Sequence, residues 1–306
     1  LDADPRKGAK AILEARALLR ARGITCFVPT ILCHADSLSR LAAALEEARL
    51  PETEAPGIYL EGPFVNPARR GGIPLEAIRD PDPSLLDSLL ELGRGRIRLM
   101  TVAPELPGAE TIVGALAEAG ILPCLGHSDC SIDRVTLPAG RFGITHLFNA
   151  MSPFSHKVPG LAMLPFLERR GFVELNADGV HVNDETLRVC AQAIEPERLV
   201  LISDAAPPAG LPYGEYAGHE GRLVSGPRGV RFADTGVLMG SSSLAADVLR
   251  HWLAATGSSP ANAVRMLSLT PAQALRLEDR RGAIAPGMEA DLVIWDGEFE
   301  RVRDVL

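Results

Sequence analysis

Residues 143–151 read Gly-Ile-Thr-His-Leu-Phe-Asn-Ala-Met, and this stretch guides the interpretation of the whole chain. It begins as a short apolar strand, places His146 at the end of that strand, and continues into a loop with an amide side chain. A single histidine at a strand end is often only a satisfied core residue. Two other strand ends change this interpretation, because Glu61 follows the apolar residues 57–60 and His127 follows the apolar residues 121–125.

One carboxylate and two imidazoles, each closing a separate strand, form a ligand set for a divalent metal ion. The donors suit Zn²⁺ first, with Fe²⁺, Mn²⁺ and Co²⁺ as alternatives. Three protein ligands leave a coordination position for water, which is typical of a catalytic site. Asp204 closes the strand at residues 199–202, where a general base would be needed, although such an aspartate can also simply cap a helix or loop.

Strands and helices alternate along most of the chain. Runs that are apolar throughout, without alternation, indicate parallel strands covered on both faces. The sequence predicts strands at residues 24–28, 57–60, 97–102, 121–125, 143–145, 172–176 and 199–202. It predicts a first helix that starts at Asp4-Pro5, and further helices at about residues 35–47, 83–92, 109–119, 131–137 and 184–193.

Candidate functional residues at the carboxyl ends of several strands favour a (β/α)8 TIM-like barrel. An open doubly wound sheet is the alternative, but no Gly-x-Gly-x-x-Gly follows any strand. Because seven strands are counted and the chain opens on a helix, we expect the first barrel strand to precede Leu1. This barrel domain is predicted to cover residues 1–280.

The regular alternation of strands and helices stops after the seventh predicted strand. Residues 205–240 are rich in Gly and Pro and predict a hairpin at about 229–238. Helices are expected at residues 244–255, 260–267 and 271–275, followed by two short strands at 282–287 and 290–295. These two strands have no helix between them and so do not continue the strand–helix alternation of a barrel. Residues 281–306 are therefore predicted to form part of a small β-sandwich domain.

Composition narrows the possible partners. The 306 residues are 46% hydrophobic and carry a net charge of −8, and no run of Lys or Arg exceeds two. Neither nucleic acid nor a membrane surface is therefore an expected partner. Five cysteines without a Cys-x-x-Cys pair indicate free thiols of a reducing compartment, and no apolar run of 18 residues is present, so we expect a cytoplasmic protein.

Several charged side chains in loops have two interpretations. His181 follows the strand at 172–176 and either faces the same pocket or is a surface histidine, while Asp178 is expected to hold the local turn. Arg69, Arg70 and Lys157 are either solvated charges or a clamp for phosphate or carboxylate. The remaining histidines are interpreted as surface or supporting residues: His34, His156, His219 and His251.

The order of the motifs resembles the N-acetylglucosamine-6-phosphate deacetylases of the amidohydrolase superfamily. The resemblance rests on residues 60–67, 126–128, 145–151, 177–181, 203–205, 209–211, 282–287 and 290–293. It implies Glu61, His127 and His146 as metal ligands, Asp204 as the acid/base, and a homodimer of barrels with a small β-sandwich. It also implies metal-dependent hydrolysis of the N-acetyl group to give glucosamine 6-phosphate and acetate. The implied substrate contacts are Gly72, Asn149, Ala150, His181, Leu238, Met239 and Gly240, the last three expected as a turn.

Three departures from the family pattern are visible. The His-x-His pair of the first barrel strand would precede Leu1, Ile73 stands where the family carries a histidine, and Lys157 stands at the phosphate-binding arginine. Lysine keeps the charge but not the bidentate fork of arginine. Two alternative functions follow: an amidohydrolase acting on another N-acyl or cyclic amide, and a catalytically silent paralogue that binds a sugar phosphate.

Overall fold

The computed structural model describes residues 8–32, 35–218, 221–297 and 299–306. The predicted helix start at Asp4-Pro5, and the residues Cys33, His34 and His219, lie outside this range. The described helices are α1 (Gly8–Arg20), α2 (Ala35–Ala48), α3 (Pro83–Leu92), α4 (Ala109–Glu118), α5 (Leu164–Leu167), α6 (Asp184–Ala193), α7 (Ala245–Thr256), α8 (Pro260–Leu267) and α9 (Leu269–Ala274). None of them is long and apolar enough to cross a membrane.

The main sheet is parallel and follows the order of the chain. Its strands are β1 (Thr30–Leu32), β2 (Ile58–Glu61), β3 (Ile97–Val102), β4 (Leu122–Leu125), β5 (Gly143–Ile144), β6 (Phe172–Leu175) and β7 (Leu199–Leu201). Strands β4 and β7 are buried at every residue. This continuous burial confirms the expectation of strands covered on both faces.

The chain divides into two compact units. The first unit holds residues 8–12 and 26–174, and the second holds residues 13–25 and 175–306. In the first unit, β1 to β6 pair in register, for example Glu61 with Thr101 and Cys124 with Gly143. Its core is filled by large apolar side chains that are fully buried, among them Phe64, Leu60 and Met100.

The second unit contains β7, which extends the parallel sheet through a 3.1 Å hydrogen bond from Ile202 N to Leu175 O. It also holds an antiparallel sheet of β8 (Gly214–Gly218), β9 (Gly221–Gly226), β10 (Gly229–Phe232) and β11 (Leu238–Gly240). Leu223 and Val230 of this sheet pack with Ala206. The predicted hairpin at 229–238 is therefore the β10–β11 part of a larger sheet, and residues 238–240 form a strand where a turn was expected.

The predicted strand at residues 24–28 is wrong. Phe27 N donates to the loop carbonyl of Glu54, and pairing with β2 starts only where Tyr59 N donates to Pro29 O at 3.0 Å. The β-branched and aromatic run is therefore extended but lies outside the ladder, which begins at Thr30.

The predicted helix at residues 131–137 is also wrong, because only Ile132–Arg134 form a short 3-10 turn. Val135 and Thr136 are β-branched, and Pro138 disfavours the helical conformation of the residue before it. A longer helix is therefore not stable here.

The two strands predicted at 282–287 and 290–295 are only half right. Residues 282–287 form no strand, since Gly282 and Gly287 have φ of 97° and 88° and Pro286 lacks a donor. The strand β12 (Val293–Trp295) pairs instead with β13 (Val302–Val305) in an antiparallel ribbon. A Cβ on Gly23 would lie 2.6 Å from the Trp295 ring, so the glycine in the turn after α1 lets the ribbon approach.

Helix starts agree closely with the sequence where a side-chain cap is present. Asp82 accepts from Ser84 N ahead of α3, Asn183 from Thr186 N ahead of α6, and Ser259 from Asn262 N ahead of α8. Such caps satisfy free amides at the first turn and fix where each helix begins.

Candidate active site

The three predicted metal ligands converge in the first unit. Glu61 is the last residue of β2, and His127 and His146 each follow their strand, β4 or β5, by two residues. The Nε2 atoms of the two histidines are 3.0 Å apart, and Glu61 Oε1 lies 2.8 Å from His127 Nε2 and 3.1 Å from His146 Nε2. The side chains of His127 and His146 are only 4% and 9% exposed.

The donor chemistry of this cluster fits a divalent cation. His127 Nδ1 lies 2.9 Å from the Arg69 carbonyl oxygen, which can only accept, so Nδ1 carries the proton and the Nε2 lone pair faces the cluster. The distances between donors are close to the roughly 3.3 Å between ligand atoms around a tetrahedral zinc ion with bonds of about 2.0 Å. Burial raises the pKa of Glu61, but its close contacts with His127 and His146 outweigh the effect of burial and hold that pKa far below its usual range.

The backbone around the cluster is strained. His127 and His146 have φ of 46° and 27°, and Phe148 and Ala150 in the following loop have φ of 76° and 47°. Non-glycine residues rarely adopt positive φ, and such strain persists only where the surroundings enforce it. Its concentration in the two loops that carry the ligand histidines is typical of a functional site.

The loop after β2 lies against His127. A Cβ on Gly71 would lie 3.5 Å from both His127 Cε1 and Ala150 Cβ, so Gly71 and Ala150 lie at the cluster, and Gly72 is the next residue along the chain. Asn149 donates from its side chain to the carbonyls of His146 and Leu147, at 3.4 and 3.2 Å. The amide nitrogen of Asn149 is therefore used within its own turn, and its carbonyl oxygen is the group left for a ligand.

Two residues that depart from the family pattern have different surroundings. Ile73 is 2% exposed and packs in an apolar cluster with Val65 and Ala77. Lys157 is exposed, and its ammonium makes no hydrogen bond or ion pair within the described part of the chain. Ile73 therefore contributes to the core, while Lys157 remains available to an anion.

A buried polar layer supports His146, and the sequence did not predict it. Tyr59 OH lies 2.9 Å from Thr145 Oγ1 and 3.3 Å from Glu174 Oε2, and this carboxylate oxygen also lies 3.4 Å from His146 N. Burial holds the pKa of Tyr59 well above its usual value. Polar residues that point into a strand layer are hidden in a run that is apolar overall, so periodicity does not reveal them.

The second unit holds the other predicted catalytic group. Asp204 follows β7 by three residues and has φ of 48°. Its Oδ2 lies 3.5 Å from His181 Nε2, and the opposite ring nitrogen, Nδ1, lies 2.9 Å from Asp178 Oδ2. His181 therefore stands between two carboxylates, one almost fully buried and one partly exposed.

Asp178 does more than hold the local turn. Its Oδ1 accepts from the backbone amides of Val180 and His181 at 2.9 Å each, as the sequence predicted, and its Oδ2 also accepts from Ser241 Oγ at 2.7 Å. Burial raises the pKa of Asp178, but the hydrogen bond from His181 and the other donors outweigh it and lower that pKa to about 2. Ser241 and the role of Asp178 toward His181 carry no recognisable sequence pattern.

The strand β11 ends against the loop of Asp204. Ser241 N donates to Asp204 O at 2.8 Å, and a Cβ on Gly240 would lie 2.7 Å from that same oxygen. Met239 packs on the apolar side of its sheet with Leu223 and Val230. The predicted substrate residues Leu238, Met239 and Gly240 are thus part of the frame that holds Asp204.

The remaining described histidines agree with their expected roles. His156 is exposed, and His251 is partly exposed with its Nε2 2.8 Å from Asp184 Oδ1.

Comparison with known proteins identifies the family. The profile of the amidohydrolase family matches residues 9–305. An N-acetylglucosamine-6-phosphate deacetylase of Bos taurus is 34% identical over 304 residues, covering 94% of this chain and 73% of the relative. An N-acetylgalactosamine-6-phosphate deacetylase of Escherichia coli O157:H7 is 33% identical over 304 residues, covering 96% of this chain and 79% of the relative.

A solved structure gives the same result. A mutant N-acetyl-D-glucosamine-6-phosphate deacetylase of Mycobacterium smegmatis, in complex with N-acetyl-D-glucosamine-6-phosphate, superposes with a TM-score of 0.86 at 32% identity. The alignment covers 97% of this chain and 79% of that one. The chain belongs to the amidohydrolase family.

Proposed function

We propose that the protein hydrolyses the N-acetyl group of N-acetylglucosamine 6-phosphate, giving glucosamine 6-phosphate and acetate. The observation that carries this proposal is the convergence of Glu61, His127 and His146 within 3.1 Å of one another. These residues occur in a member of the amidohydrolase family that is similar over more than nine tenths of its length to deacetylases of amino-sugar phosphates.

Glu61, His127 and His146 are the proposed ligands of a divalent metal ion. Two imidazole nitrogens and one carboxylate oxygen suit Zn²⁺ first, and Fe²⁺, Mn²⁺ or Co²⁺ as alternatives. When bound, the metal supplies Lewis-acid polarisation of the amide carbonyl and of the attacking water. The side chains themselves contribute a buried, pre-positioned set of donors that needs no rearrangement of the strands.

Asp204 is the proposed acid/base. Its carboxylate takes a proton from the attacking water and passes it to the amine nitrogen as the carbon–nitrogen bond breaks, so acetate and the free amine leave together. When the His181 ring carries both protons, its Nε2–H, 3.5 Å from Asp204 Oδ2, stabilises the charge of that carboxylate. Asp178 holds the imidazole in the required orientation by accepting from Nδ1.

Most of the proposed substrate-binding residues come from loops at the carboxyl ends of the parallel strands, and the others come from β11. Backbone and amide groups of the loops after β2 and β5 would recognise the sugar, and Lys157 would pair with the 6-phosphate. The full proposed set is Gly72, Asn149, Ala150, Lys157, His181, Leu238, Met239 and Gly240.

The galactosamine epimer is a second candidate substrate, because the relative from Escherichia coli O157:H7 is an N-acetylgalactosamine-6-phosphate deacetylase. Ile73 removes an imidazole that the family pattern would place beside the Gly71-Gly72 turn. The choice between epimers therefore depends on backbone groups and on Asn149. Hydrolysis of a different N-acyl or cyclic amide, and binding without catalysis, are the remaining alternatives.

We also propose the domain organisation, the oligomeric state and the cellular compartment of the protein. The seven parallel strands would form most of a (β/α)8 barrel within residues 1–280, and residues 281–306 would form part of a small β-sandwich. A homodimer is expected from the resemblance to the deacetylases. The described cysteines Cys26, Cys124, Cys130 and Cys190 are free thiols, which supports a reducing, cytoplasmic compartment.

The test measures acetate release from four compounds, by protein loaded with metal and by protein whose metal has been removed with a chelator. The panel pairs N-acetylglucosamine and N-acetylgalactosamine with their 6-phosphates. We expect metal-dependent release from the phosphorylated compounds only, with N-acetylglucosamine 6-phosphate preferred. Equal rates with and without the phosphate would favour another amidohydrolase, and binding without acetate release would favour the silent paralogue.

A further inference from the structure

One strand between the ligand-bearing strands supplies no ligand. In the sheet β3 lies between β2, which ends in Glu61, and β4, which leads to His127. The loop after β3 reads Ala-Pro-Glu at residues 103–105. Its glutamate, Glu105, follows β3 by three residues, a spacing from the strand end close to that of the ligand histidines.

Glu105 uses both carboxylate oxygens on the loops at either side. Its Oε1 accepts from Asn66 Nδ2 at 2.9 Å and from Asp129 N at 2.7 Å. Its Oε2 accepts from Ser128 Oγ at 2.7 Å. Asn66 belongs to the loop after β2, and Ser128 and Asp129 follow His127 directly, so one carboxylate joins the chain segments of two proposed ligands.

These contacts continue into the backbone of the ligand loops. Asn66 N donates to His127 O at 2.8 Å, and Ser152 N, from the loop that follows His146, donates to Ser128 O at 2.8 Å. Ser128 is fully buried. The loops of all three proposed ligands are therefore tied together, and Ser128 and Asn66 are the points at which Glu105 holds them.

The backbone at His127 needs such support. Its φ of 46° lies in the left-handed region, which a histidine adopts only when the surrounding structure compensates for the strain. Glu105 accepts from the two residues that come next, Ser128 and Asp129, and so fixes the turn in which that φ occurs. Hydrogen bonds to a charged acceptor are about twice as strong as neutral ones.

We propose that Glu105 is a positioning residue of the metal site: it sets the distance between Glu61 and His127 by clamping the loops that carry them, without touching the metal or the substrate. This inference rests on the proposed metal-ligand set. Because Glu105 acts on ligand geometry, its removal should weaken metal binding more than it weakens the fold. Removal of a residue with a structural role alone would lower stability without a selective loss of metal binding.

The test compares three variants of the full chain with the wild type. Glu105→Ala removes all three hydrogen bonds, and Glu105→Gln keeps one acceptor oxygen for Asn66 and Asp129. Glu168→Ala is the matched control, because Glu168 also accepts hydrogen bonds through both carboxylate oxygens, among them three from Arg170. Glu168 precedes β6, so it lies at the amino end of the sheet, opposite the ligand-bearing ends of the strands.

Two quantities are measured for each protein: the dissociation constant for Zn²⁺ by competition with a chromogenic chelator, and the urea midpoint of unfolding in excess chelator. We expect Glu105→Ala to raise the dissociation constant about 10- to 100-fold. We expect Glu105→Gln to recover much of this loss and Glu168→Ala to leave zinc binding unchanged. The metal-free midpoints of Glu105→Ala and Glu168→Ala should be lowered to a similar extent.

A zinc dissociation constant of Glu105→Ala within twofold of the wild type would overturn the inference, as would an equal weakening in Glu168→Ala. A wild-type chain that binds no zinc would overturn it together with the proposed metal site. Tight zinc binding by the wild type with an unaffected Glu105→Ala would leave the proposed function standing, so the two failures are distinguishable.

Discussion

The proposed metal-ligand cluster of the first unit and the Asp178–His181–Asp204 group of the second both place imidazoles next to carboxylates. In the cluster, two Nε2 atoms and one carboxylate oxygen face one another at 2.8–3.1 Å. His127 donates its Nδ1 proton to the Arg69 carbonyl oxygen, so its Nε2 carries a lone pair. In the second group, the histidine lies between two acceptors, with Asp178 Oδ2 at 2.9 Å.

The two groups differ in what balances the charge of their carboxylates and the repulsion between their lone pairs. Lone pairs that converge on a common point repel one another unless a cation lies among them, so the first arrangement is stabilised by a metal ion. A histidine between carboxylates is stabilised by its own protons and can hold or pass one. The comparison assigns metal binding to the first group and proton transfer to the second, and the following experiments test that assignment.

Replacing a ligand of the cluster should have the largest effect. We expect His127→Ala to abolish metal-dependent turnover and to remove the increase in stability that added zinc gives the wild type. That increase is about 2.7 kcal/mol when zinc is at 100 times its dissociation constant. Metal content and thermal unfolding with and without zinc are the measurements.

The control for this substitution is His251→Ala, since His251 pairs with Asp184 outside the cluster. It should keep both metal binding and turnover. If His127→Ala retained full zinc-dependent stabilisation, the assignment of this cluster to metal binding would be wrong.

Asp178→Asn should have a smaller effect, on turnover and not on metal content. An amide can donate to His181 Nδ1, which favours the imidazole tautomer with its proton on Nε2, and so disturbs the group facing Asp204. We expect kcat to fall about 10- to 100-fold, with metal content unchanged. Asp184→Asn, which alters the carboxylate of the other His–Asp pair, is the matched control. A loss of zinc in Asp178→Asn would contradict the separation of roles.

The low pKa of Asp178 predicts a dependence of stability on pH. A folded-state pKa of about 2 lies below the unfolded value of about 3.9, so the ionised carboxylate stabilises the fold above pH 4. This contribution, on the order of 2 kcal/mol, is lost as the pH falls from about 4 to 2. Urea unfolding of metal-free protein should show the advantage over Asp178→Asn at pH 7 shrinking across that interval. A difference independent of pH would contradict the prediction.

Lys157→Ala should have the smallest effect, confined to the phosphate. Because Lys157 is exposed, loss of its pairing with the 6-phosphate should raise KM about three- to tenfold with little change in kcat. Lys157→Arg should lower KM, because a guanidinium can bind phosphate with two hydrogen bonds. The unphosphorylated substrate is the control, and an equal change in its KM would rule out a role in phosphate recognition.

Much of this arrangement could be predicted from the sequence. Glu61, His127 and His146 stand at the ends of apolar runs, and the carboxyl ends of parallel strands meet at one edge, so their convergence follows from the strand pattern alone. The starts of α3 and α6 were also predictable, because Asp82-Pro83 and Asn183 are strong signals for the first turn of a helix.

The parts that could not be predicted depend on contacts between distant residues. Glu105, Glu174 and Ser241 look like ordinary polar residues until the fold brings them to His127, His146 and Asp178. Pairing also decides strand limits: residues 24–28 have a strand-like composition, but the ladder with β2 begins at Thr30. The C-terminal ribbon likewise depends on which segment reaches β12, and that segment is residues 302–305.

The most direct test of the account is acetate release from N-acetylglucosamine 6-phosphate by zinc-loaded wild type beside Asp204→Asn, with metal content measured in both. We expect Asp204→Asn to keep its zinc and to lose about 10²- to 10⁴-fold in kcat. Full turnover in Asp204→Asn would contradict the assignment of metal binding and proton transfer to separate groups, and so would loss of its zinc.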